Sequence, residues 1–354
     1  MSDIKIHCNE ERGQEFIKNV EQKQFLFSFV TSYTETCEIP GITVAGADSD
    51  FVKFTPPADA EFLHYGYCKS IDIIPMTPDG KPTPALLTKA ALESASIPQV
   101  IIDAGSKIPP KLPYFQTNIA HGKNIAIEPG LDQSNVVHAI DYGRILGRTL
   151  GSCTDCLVIG ESIPGGTTTA LAVLKSLGID AQVSSSMPKN PQSLKNGVVA
   201  KALERSASKE PYDVMANAGD PMIPFVAGML STASEITNVI LAGGTQMAAV
   251  LAIAKSTGYD ESKVALGTTS YIIDDKTANL LDMVKSISDI PVLSINPKLK
   301  DSKFDGLRAY SKGFVKEGVG AGGSMIASVL KTGIDSKKLL ELIDKEYSRV
   351  TTSQ

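Results

Sequence analysis

The chain has 354 residues, of which 42% are apolar, so it can form a large core and two domains are the natural expectation. Its 34 Lys and Arg residues against 39 Asp and Glu residues give a formal net charge of −5, which leaves no broad basic surface for a nucleic acid. The longest apolar stretch, 239–254, is interrupted by Gly243, Gly244, Thr245 and Gln246, and the N-terminus lacks the apolar run of a secretion signal. We therefore expect a cytoplasmic protein with neither a membrane span nor a nucleic acid partner.

The first 95 residues differ in pattern from the rest of the chain. A helix pattern at 10–22 and a strand-like run at 25–33 precede a Gly- and Pro-rich stretch at 39–84. Long irregular segments of compact proteins are often functional loops, so this stretch is a candidate cover for a site. Near the other end, Asp335 is expected to cap a helix that continues through Glu346.

After residue 95, short apolar runs alternate with amphipathic stretches, which is the pattern of a parallel sheet with helices on its faces. The predicted strands are 99–103, 155–160, 181–184, 213–216, 239–242, 264–267 and 291–295. The predicted helices between them include 167–177, 191–206, 223–231 and 246–256. Most of the strands are rich in Val, Ile and Leu without polar alternation, as expected when both faces are buried. The sequence thus predicts an α/β fold with a doubly wound, mostly parallel, Rossmann-like sheet.

This pattern divides the chain into three expected parts. Residues 96–332 form the α/β domain that binds the substrate. Residues 1–95 form a helical subdomain together with the Gly- and Pro-rich loop region. Residues 333–354 form a helix that packs on the N-terminal part, so that the two chain ends make one small helical subdomain.

Cysteine and histidine usage points away from disulfide and metal chemistry. The five cysteines are an odd number without a dense framework, and Cys153 and Cys156 lead into an apolar run, so we interpret them as structural thiols. The four histidines show no spacing typical of a metal site. We expect no catalytic metal and no cofactor.

Three glycine-rich segments follow, or stand near, predicted strands: GESIPGGTTT at 160–169, AGGTQ at 242–246 and EGVGAGGS at 317–324. In open parallel sheets, ligands bind beyond the carboxyl ends of the strands, where helix N-termini present free N–H groups. Each segment alone is equally explained as a tight turn. Because three of them with small hydroxylated residues occur in one chain, we favour a shared anion site.

The first segment has the outline of a phosphate loop, with Gly165 before the helix and Thr167 and Thr168 in its first turn. Gly166 stands where a nucleoside triphosphatase needs a lysine for the β- and γ-phosphates, so triphosphate hydrolysis is not expected. The segment instead suits one monophosphate, bound by backbone N–H groups, threonine hydroxyls and the helix dipole.

The third segment contains Gly318, Gly320 and Gly323 in the spacing of a dinucleotide fingerprint, but the residues before it make a poor strand. Glu317 precedes these glycines. A carboxylate at a helix N-terminus is stable while ionised, so Glu317 can act as a base in a cleft, or it can be an ordinary first-turn acid. Glu161, in the first segment, is a second acid, and two acids beside anion sites suggest glycosyl-type chemistry.

Two further acidic positions were considered. Asp220 can bind ribose hydroxyls or cap a helix, and we favour the cap. The pair Asp274 and Asp275 lacks the loop that follows the acidic pair of magnesium-dependent phosphoribosyltransferases, so we assign it to a turn.

Taken together, the segments 160–170, 243–249 and 317–321 stand in the order seen in nicotinate-nucleotide:dimethylbenzimidazole phosphoribosyltransferases. The chain resembles the divergent archaeal and cyanobacterial branch of that family, specifically over 155–330. The resemblance implies transfer of ribose 5-phosphate from nicotinate mononucleotide to a benzimidazole nitrogen, with release of nicotinate, during assembly of the nucleotide loop of cobalamin-type cofactors. It also implies small-molecule substrates and a homodimer.

The resemblance further implies residue roles. Glu317 corresponds to the general base, and Glu161 to a supporting or alternative base. The residues that would contact the phosphate and ribose are Gly165, Gly166, Thr167, Thr168, Gly243, Gly244, Thr245, Gly318 and Gly320. Better-known members have Gly-Asn at 165–166, Glu at Gln246 and a histidine motif that is missing from 280–299. The acceptor therefore stays open among dimethylbenzimidazole, another benzimidazole, a purine and a phenol.

The chemistry of this transfer agrees with the residues present. Nicotinate mononucleotide carries its leaving group as a pyridinium, which departs neutral at nitrogen, so a positioned carboxylate base suffices. Two alternatives stay open: a non-catalytic nucleotide sensor, and a dinucleotide-dependent oxidoreductase that would require a strand before Gly318. Release of nicotinate separates the enzyme from the sensor.

Overall fold

A computed structural model describes residues 3–46, 50–77 and 79–352. In these ranges the strands are β1 (Ile4–His7), β2 (Phe25–Thr31), β3 (Gln99–Asp103), β4 (Phe115–Gln116), β5 (Cys156–Ser162), β6 (Asn238–Ala242), β7 (Val264–Thr269) and β8 (Val292–Ile295). The helices are α1 (Glu10–Val20), α2 (Thr55–Tyr65), α3 (Ala85–Ser94), α4 (Gln133–Gly151), α5 (Gly166–Ser176), α6 (Gln192–Arg205), α7 (Pro211–Ala218), α8 (Met222–Ile236), α9 (Thr245–Thr257), α10 (Ser270–Ile273), α11 (Leu280–Ile287), α12 (Asp305–Arg308), α13 (Ala321–Thr332) and α14 (Ser336–Thr352).

The strands form one sheet in the order β1-β8-β7-β6-β5-β2-β3-β4, in which only β1 pairs antiparallel to its neighbour within the described chain. From the central β2, the chain builds one half of the sheet through β3 and β4 and the other half through β5 to β8. The strand order therefore reverses between β2 and β5, which is where open α/β sheets bind ligands. The predicted doubly wound, mostly parallel α/β fold is confirmed.

The sheet separates two apolar cores, and strand alternation assigns residues to them. In β5, Leu157 and Ile159 belong to the core with α4, α8 and α9, whereas Val158 belongs to the core with α3, α13 and α14. Every residue of β2 and β5 is buried. Helices on both faces explain why these strands read as continuous apolar runs.

Five predicted strands are confirmed as β3, β5, β6, β7 and β8, and the predicted helices as α1, α5, α6, α8 and α9. The strand predicted at 213–216 is wrong, because Pro211 at the first helical position starts α7 and Asp213 lies in its first turn. The strand predicted at 181–184 is also wrong. This segment is extended, but side chains satisfy its backbone: Gln182 N–H donates to Asn279 (2.7 Å) and Ser184 N–H to Thr245 (3.3 Å).

The chain ends pack beside each other. Asp335 accepts a hydrogen bond from Lys338 N–H (2.7 Å) and so caps α14 as predicted, and Ser336 N–H donates to the Asp3 carboxylate (2.6 Å). The helix α14 packs on α3. The first 95 residues also supply β1 and β2 to the main sheet, and the division of the chain at residues 95 and 332 stays a prediction.

The Gly- and Pro-rich stretch 39–84 contains α2, and its residues 47–49 and 78 lie outside the described residues.

The five cysteines are free thiols, with Cys153 exposed and Cys156 buried at the start of β5. Over the described ranges, no helix combines the length and apolarity that crossing a membrane requires.

Candidate active site

A cavity of about 180 Å³ opens beyond the carboxyl ends of β5, β6 and β7 and brings all three glycine-rich segments together. Its wall includes eight of the predicted site residues: Glu161, Gly165, Gly166, Thr167, Gly244, Thr245, Glu317 and Gly318. The other wall is formed by parts of the Gly- and Pro-rich stretch, 42–46, 75–77 and 81–84. Three predicted residues do not line the cavity. Thr168 is buried in α5, Gly243 packs on Met247, and Gly320 packs on Gly160.

The second glycine segment lets two carboxylates approach each other. A Cβ added at Gly243 would lie 4.0 Å from the Glu161 Oε1 atom, and one added at Gly244 would lie 3.7 Å from Glu317 Cγ. Side chains at these positions would therefore occupy the space beside both acids. Both distances are ordinary van der Waals contacts, so the segment passes directly beside both glutamates.

The Glu317 carboxylate is held by four donors. Its Oε2 atom accepts from Thr269 N–H (2.8 Å) and the Thr268 hydroxyl (3.2 Å), and its Oε1 atom accepts from the N–H groups of Gly318 and Gly322 (both 3.1 Å). Burial raises the pKa of Glu317, and these hydrogen bonds oppose the rise. A carboxylate has about four lone-pair sites, so protein donors occupy its accepting capacity.

The backbone around Glu317 is unusual. Val315, Lys316 and Val319 have positive φ angles of 61°, 68° and 54°, a region that β-branched residues rarely adopt. The Lys316 ammonium anchors this turn, because it donates to Asp275 Oδ2 (2.8 Å) and to Ser185 C=O (2.7 Å) and both side chains of the ion pair are 6% exposed. Strain of this kind persists where surrounding contacts over-determine the backbone, as they do here.

Asp275 lies in a turn, as predicted, since it also accepts from Thr277 N–H (3.0 Å). The ion pair between Asp275 and Lys316 was not predicted from the sequence. Burial raises the pKa of Asp275, but the Lys316, Ser184 and Thr277 donors outweigh it and lower the pKa to about 2.

Glu161 is the more weakly bonded acid of the pair. It is 4% exposed, at the end of β5, and burial raises its pKa to about 8, with further contributions from the negative charges of Asp220 and Glu317. The N–H of Ile163 opposes this rise. Asp220 accepts from Met222 N–H (3.1 Å) and Ile223 N–H (3.2 Å), which caps α8 as favoured from the sequence.

A phosphoribosyltransferase family model matches residues 90–266 of the chain. A UPF0284 protein of Archaeoglobus fulgidus is 49% identical over 92% of this chain and 93% of its own length, and one of Sulfurisphaera tokodaii is 41% identical over 94% and 96%. The chain belongs to this phosphoribosyltransferase family. The family resemblance expected from the glycine segments is thereby confirmed.

Solved structures agree on the fold of this phosphoribosyltransferase. The nicotinate-nucleotide-dimethylbenzimidazole phosphoribosyltransferase of Thermus thermophilus superposes with a TM-score of 0.63, 15% identity, and coverage of 92% of this chain and 88% of that one. A structure of CobT from the same organism gives a TM-score of 0.60, 16% identity, and coverage of 93% and 89%. The oxidoreductase alternative required a strand before Gly318. In this phosphoribosyltransferase, a 3-10 turn at Ala309–Lys312 and an irregular segment stand there.

The start of α5 carries the groups suited to an anion. Gly165 has a φ of 78° and precedes the helix, which begins at Gly166. A Cβ added at Gly166 would lie 2.3 Å from the Gln246 Nε2 atom. This nitrogen is a buried donor, and no acceptor among the described residues forms a hydrogen bond with it. The Gln246 amide is therefore available to a ligand at the helix N-terminus.

Lys195 is a site residue that sequence reasoning missed. It is 1% exposed, and its ammonium donates to the Thr167 hydroxyl (3.0 Å) and to Ser184 C=O (2.7 Å). The pKa of Lys195 is lowered to about 7, mainly by burial. The positive charge of Lys316 adds to this lowering, and the negative charge of Asp275 opposes it. One signal was present: Lys195 shares a face of α6 with Val198, Val199 and Ala202, where an unpaired lysine is unexpected. We call Gly165, Gly166, Thr167 and Gln246, with Lys195 behind Thr167, the phosphate side of the cavity.

A second missed group lies on the opposite wall. Asp59, on α2, accepts from the Thr83 hydroxyl (2.6 Å) and from the Ser162 hydroxyl (2.8 Å), and all three residues line the cavity. We call these three residues the aspartate cluster. No motif marks it, because its members are 24 and 79 positions apart along the chain. Among the described residues, no set of three or more His, Cys, Asp and Glu side chains is arranged to hold a metal ion.

Proposed function

We propose that this phosphoribosyltransferase moves ribose 5-phosphate from nicotinate mononucleotide to a nitrogen of a benzimidazole-like base. The product would be an α-ribazole phosphate for the nucleotide loop of a cobalamin-type cofactor. One observation carries the proposal: Glu161 and Glu317 lie together in a cavity whose wall also contains the N-terminus of α5. The reaction named for the Thermus thermophilus neighbour supports the same substrates.

The phosphate side suits the 5′-phosphate of the nucleotide. The N-terminus of α5 directs the positive end of its helix dipole to the cavity, Lys195 supplies a positive charge beside Thr167, and the Gln246 amide supplies a donor without a partner among the described residues. A monophosphate dianion satisfies all three, since it is an acceptor with two negative charges. Binding the phosphate here places the sugar near the two carboxylates, and positioning of this kind lowers the barrier substantially.

The two carboxylates suit different parts of the transfer. An azole nitrogen lone pair forms the new bond to the anomeric carbon while the bond to nicotinate breaks, and that electron pair returns to the nicotinate ring nitrogen. The azole then loses the proton of its other nitrogen. We propose that Glu161 accepts this proton, because its pKa of about 8 lies near working pH and its oxygens are less occupied. We propose that Glu317, fixed by four donors, stabilises the positive charge developing on the sugar.

Incubation with nicotinate mononucleotide and benzimidazole tests the proposal, with chromatography for nicotinate and mass spectrometry for the ribosylated product. We expect stoichiometric release of both, and loss of turnover in Glu161→Gln with retained nucleotide binding. Tight nucleotide binding without product would instead favour the nucleotide sensor. A wild-type protein that neither binds nor converts the nucleotide would contradict the proposal.

We also retain two proposals that the family relation suggests: a homodimer and a cytoplasmic location. Sedimentation velocity on the full chain tests the first, because the mass it gives for a homodimer is twice that of one protomer. Fractionation of cells that express the protein tests the second.

A further inference from the structure

The aspartate cluster contains a buried carboxylate without a cation. Asp59 is 2% exposed, and within the described ranges no Lys, Arg or His forms an ion pair with it. Burying an unpaired carboxylate is costly, and two hydroxyl donors offset only part of that cost. Burial accordingly raises the pKa of Asp59 to about 7. The phosphoribosyl transfer described above does not use this group, although it lines the same cavity.

The hydrogen bonds fix the direction of two hydroxyl protons. Above its pKa of about 7 the Asp59 carboxyl is ionised and only accepts, so the Thr83 and Ser162 hydroxyls then both direct their protons to it. The Thr83 oxygen additionally accepts from Ala85 N–H (3.2 Å). No donor in the described protein reaches the remaining lone pairs of Ser162 Oγ. The cluster therefore presents an accepting oxygen to the cavity and no free donor.

The surroundings of the cluster are apolar. Pro75, Met76, Pro84 and Val319 form the adjoining wall, a shape suited to a flat heterocycle. Lys81 also lines the cavity, and its ammonium forms an ion pair with the Asp79 carboxylate at 3.5 Å. A ligand beside the aspartate cluster therefore finds no hydrogen-bond donor there and has to donate a hydrogen bond to the cluster.

The cluster is also adjacent to the catalytic pair. Ser162 follows Glu161 in β5, and Val319 N–H donates to Glu161 C=O (3.0 Å). A Cβ added at Gly318 would lie 3.2 Å from Pro84 Cγ. A heterocycle whose N–H faces Glu161 while its other nitrogen faces the sugar thus has its far edge within the wall that contains Ser162.

We propose that the aspartate cluster selects acceptor heterocycles that carry an N–H or O–H donor on the ring edge away from the reacting nitrogen. The inference rests on the proposed function. The favoured substrates are amino- or hydroxy-substituted benzimidazoles and aminopurines, whose donor bonds Ser162 Oγ. A methyl group in the same place leaves the Ser162 oxygen unsatisfied, and sites built to bond an N–H or O–H discriminate strongly against such analogues.

The matched pair of 5-aminobenzimidazole and 5-methylbenzimidazole tests the inference, because the two substituents have nearly the same size. With saturating nicotinate mononucleotide, we expect kcat/KM to favour the amino compound by about tenfold or more. The preference should disappear in Ser162→Ala. In Asp59→Asn it should shrink, because the amide can donate to one hydroxyl and free that hydroxyl's proton. Ser186→Ala, which lacks contact with the cluster, is the control and should keep the ratio.

Calorimetric titration of both heterocycles into Glu161→Gln with bound nicotinate mononucleotide gives a readout without turnover. The same amino preference in affinity supports the inference, and it does so even if no product forms. Equal affinities, a methyl preference or binding of neither compound would overturn it. Nicotinate release that is equally fast with both compounds would leave the proposed function intact and reject the selectivity. Ser162→Ala carries the test if Asp59→Asn does not fold, as judged by circular dichroism.

Discussion

Two buried aspartates near one cavity show how differently its two sides are built. Asp275, behind the phosphate side, is paired with Lys316 at 2.8 Å, and its pKa falls to about 2. Asp59, on the opposite wall, has only hydroxyl partners, and burial raises its pKa to about 7. A paired carboxylate makes a rigid framework, whereas an unpaired one draws hydroxyl protons to itself and leaves a hydroxyl oxygen to accept from a ligand. We call the wall that contains the aspartate cluster the acceptor side. An ion pair holds the residues of the phosphate side in place, whereas hydrogen-bond direction defines what the acceptor side can bind.

The catalytic pair between the two sides should give the largest effect. Glu161→Gln should lower kcat by about 10²–10⁴-fold with little change in nucleotide affinity, because the base acts only as the proton is transferred. Wild-type activity should rise with pH through about 8, the pKa of Glu161, since the carboxylate is the active form.

A pH series of nicotinate release checks this expectation. Glu317→Gln is the matched control and should keep a rise with pH, moved to lower pH, because the negative charge of Glu317 contributes to the raised pKa of Glu161. A rise that survives in Glu161→Gln would assign the proton to another group.

The ion pair behind the phosphate side should matter most for stability. Asp275→Asn leaves the Lys316 ammonium buried without its anion and should cost about 3–5 kcal/mol in the free energy of unfolding. The stabilisation by Asp275 is present above the unfolded pKa of 3.8 and is lost as pH falls toward about 2. Urea denaturation at pH 7 and pH 3 measures both effects, and a cost below about 1 kcal/mol at pH 7 would show that the pair is not a framework.

Variants on the two sides should affect different substrates. Lys195→Met should raise KM for nicotinate mononucleotide by about 10–100-fold, because a charge-assisted hydrogen bond contributes about 1.5–3 kcal/mol. Ser162→Ala should instead raise KM for the acceptor. Steady-state kinetics with each substrate varied in turn separates the two. Lys175→Met, at a partly exposed lysine whose ammonium donates to Asn196, is the control for lost charge. If both variants changed the same KM, the division of the cavity into two sides would fail.

The acceptor side should show the opposite pH dependence of stability. The folded-state pKa of Asp59 is raised from 3.8 to about 7, so its contribution is present below pH 3.8 and is lost as pH rises to 7. Asp59→Asn should therefore gain stability relative to wild type between pH 4 and pH 8, by about 1 kcal/mol or more. Thermal and urea unfolding at the two pH values measure the difference, and a constant difference would mean that Asp59 has an ordinary pKa.

The smallest effects should come from single methyl groups. Gly166→Ala places a Cβ 2.3 Å from the Gln246 amide and 2.7 Å from Ile163 Cγ2, so both side chains have to shift. Because the Gln246 amide is the movable end of a flexible side chain, we expect the protein to fold while KM for the nucleotide rises about tenfold or less. Gly197→Ala, in α6 with no atom within 4 Å of the added Cβ, should only stabilise, by about 0.5–1 kcal/mol. An unchanged KM in Gly166→Ala would remove this turn from the phosphate site.

The sequence by itself determined the parts of the protein that depend on local patterns. Continuous apolar runs predicted β3 and β5 to β8, because strands buried on both faces have no polar alternation. Three glycine-rich segments, two of which follow such strands, predicted one shared site that contains Glu161 and Glu317.

Only the tertiary structure decided what depends on contacts between distant segments. Pro211 and its first-turn acid turned an apolar run into α7, and side chains from elsewhere satisfied the backbone of 181–184. The Asp59 carboxylate and the Lys195 ammonium acquired their properties from residues far along the chain, since burial and hydrogen-bond partners set a pKa. Such environments leave no periodic signal, and for that reason the acceptor side of the cavity could be found only in three dimensions.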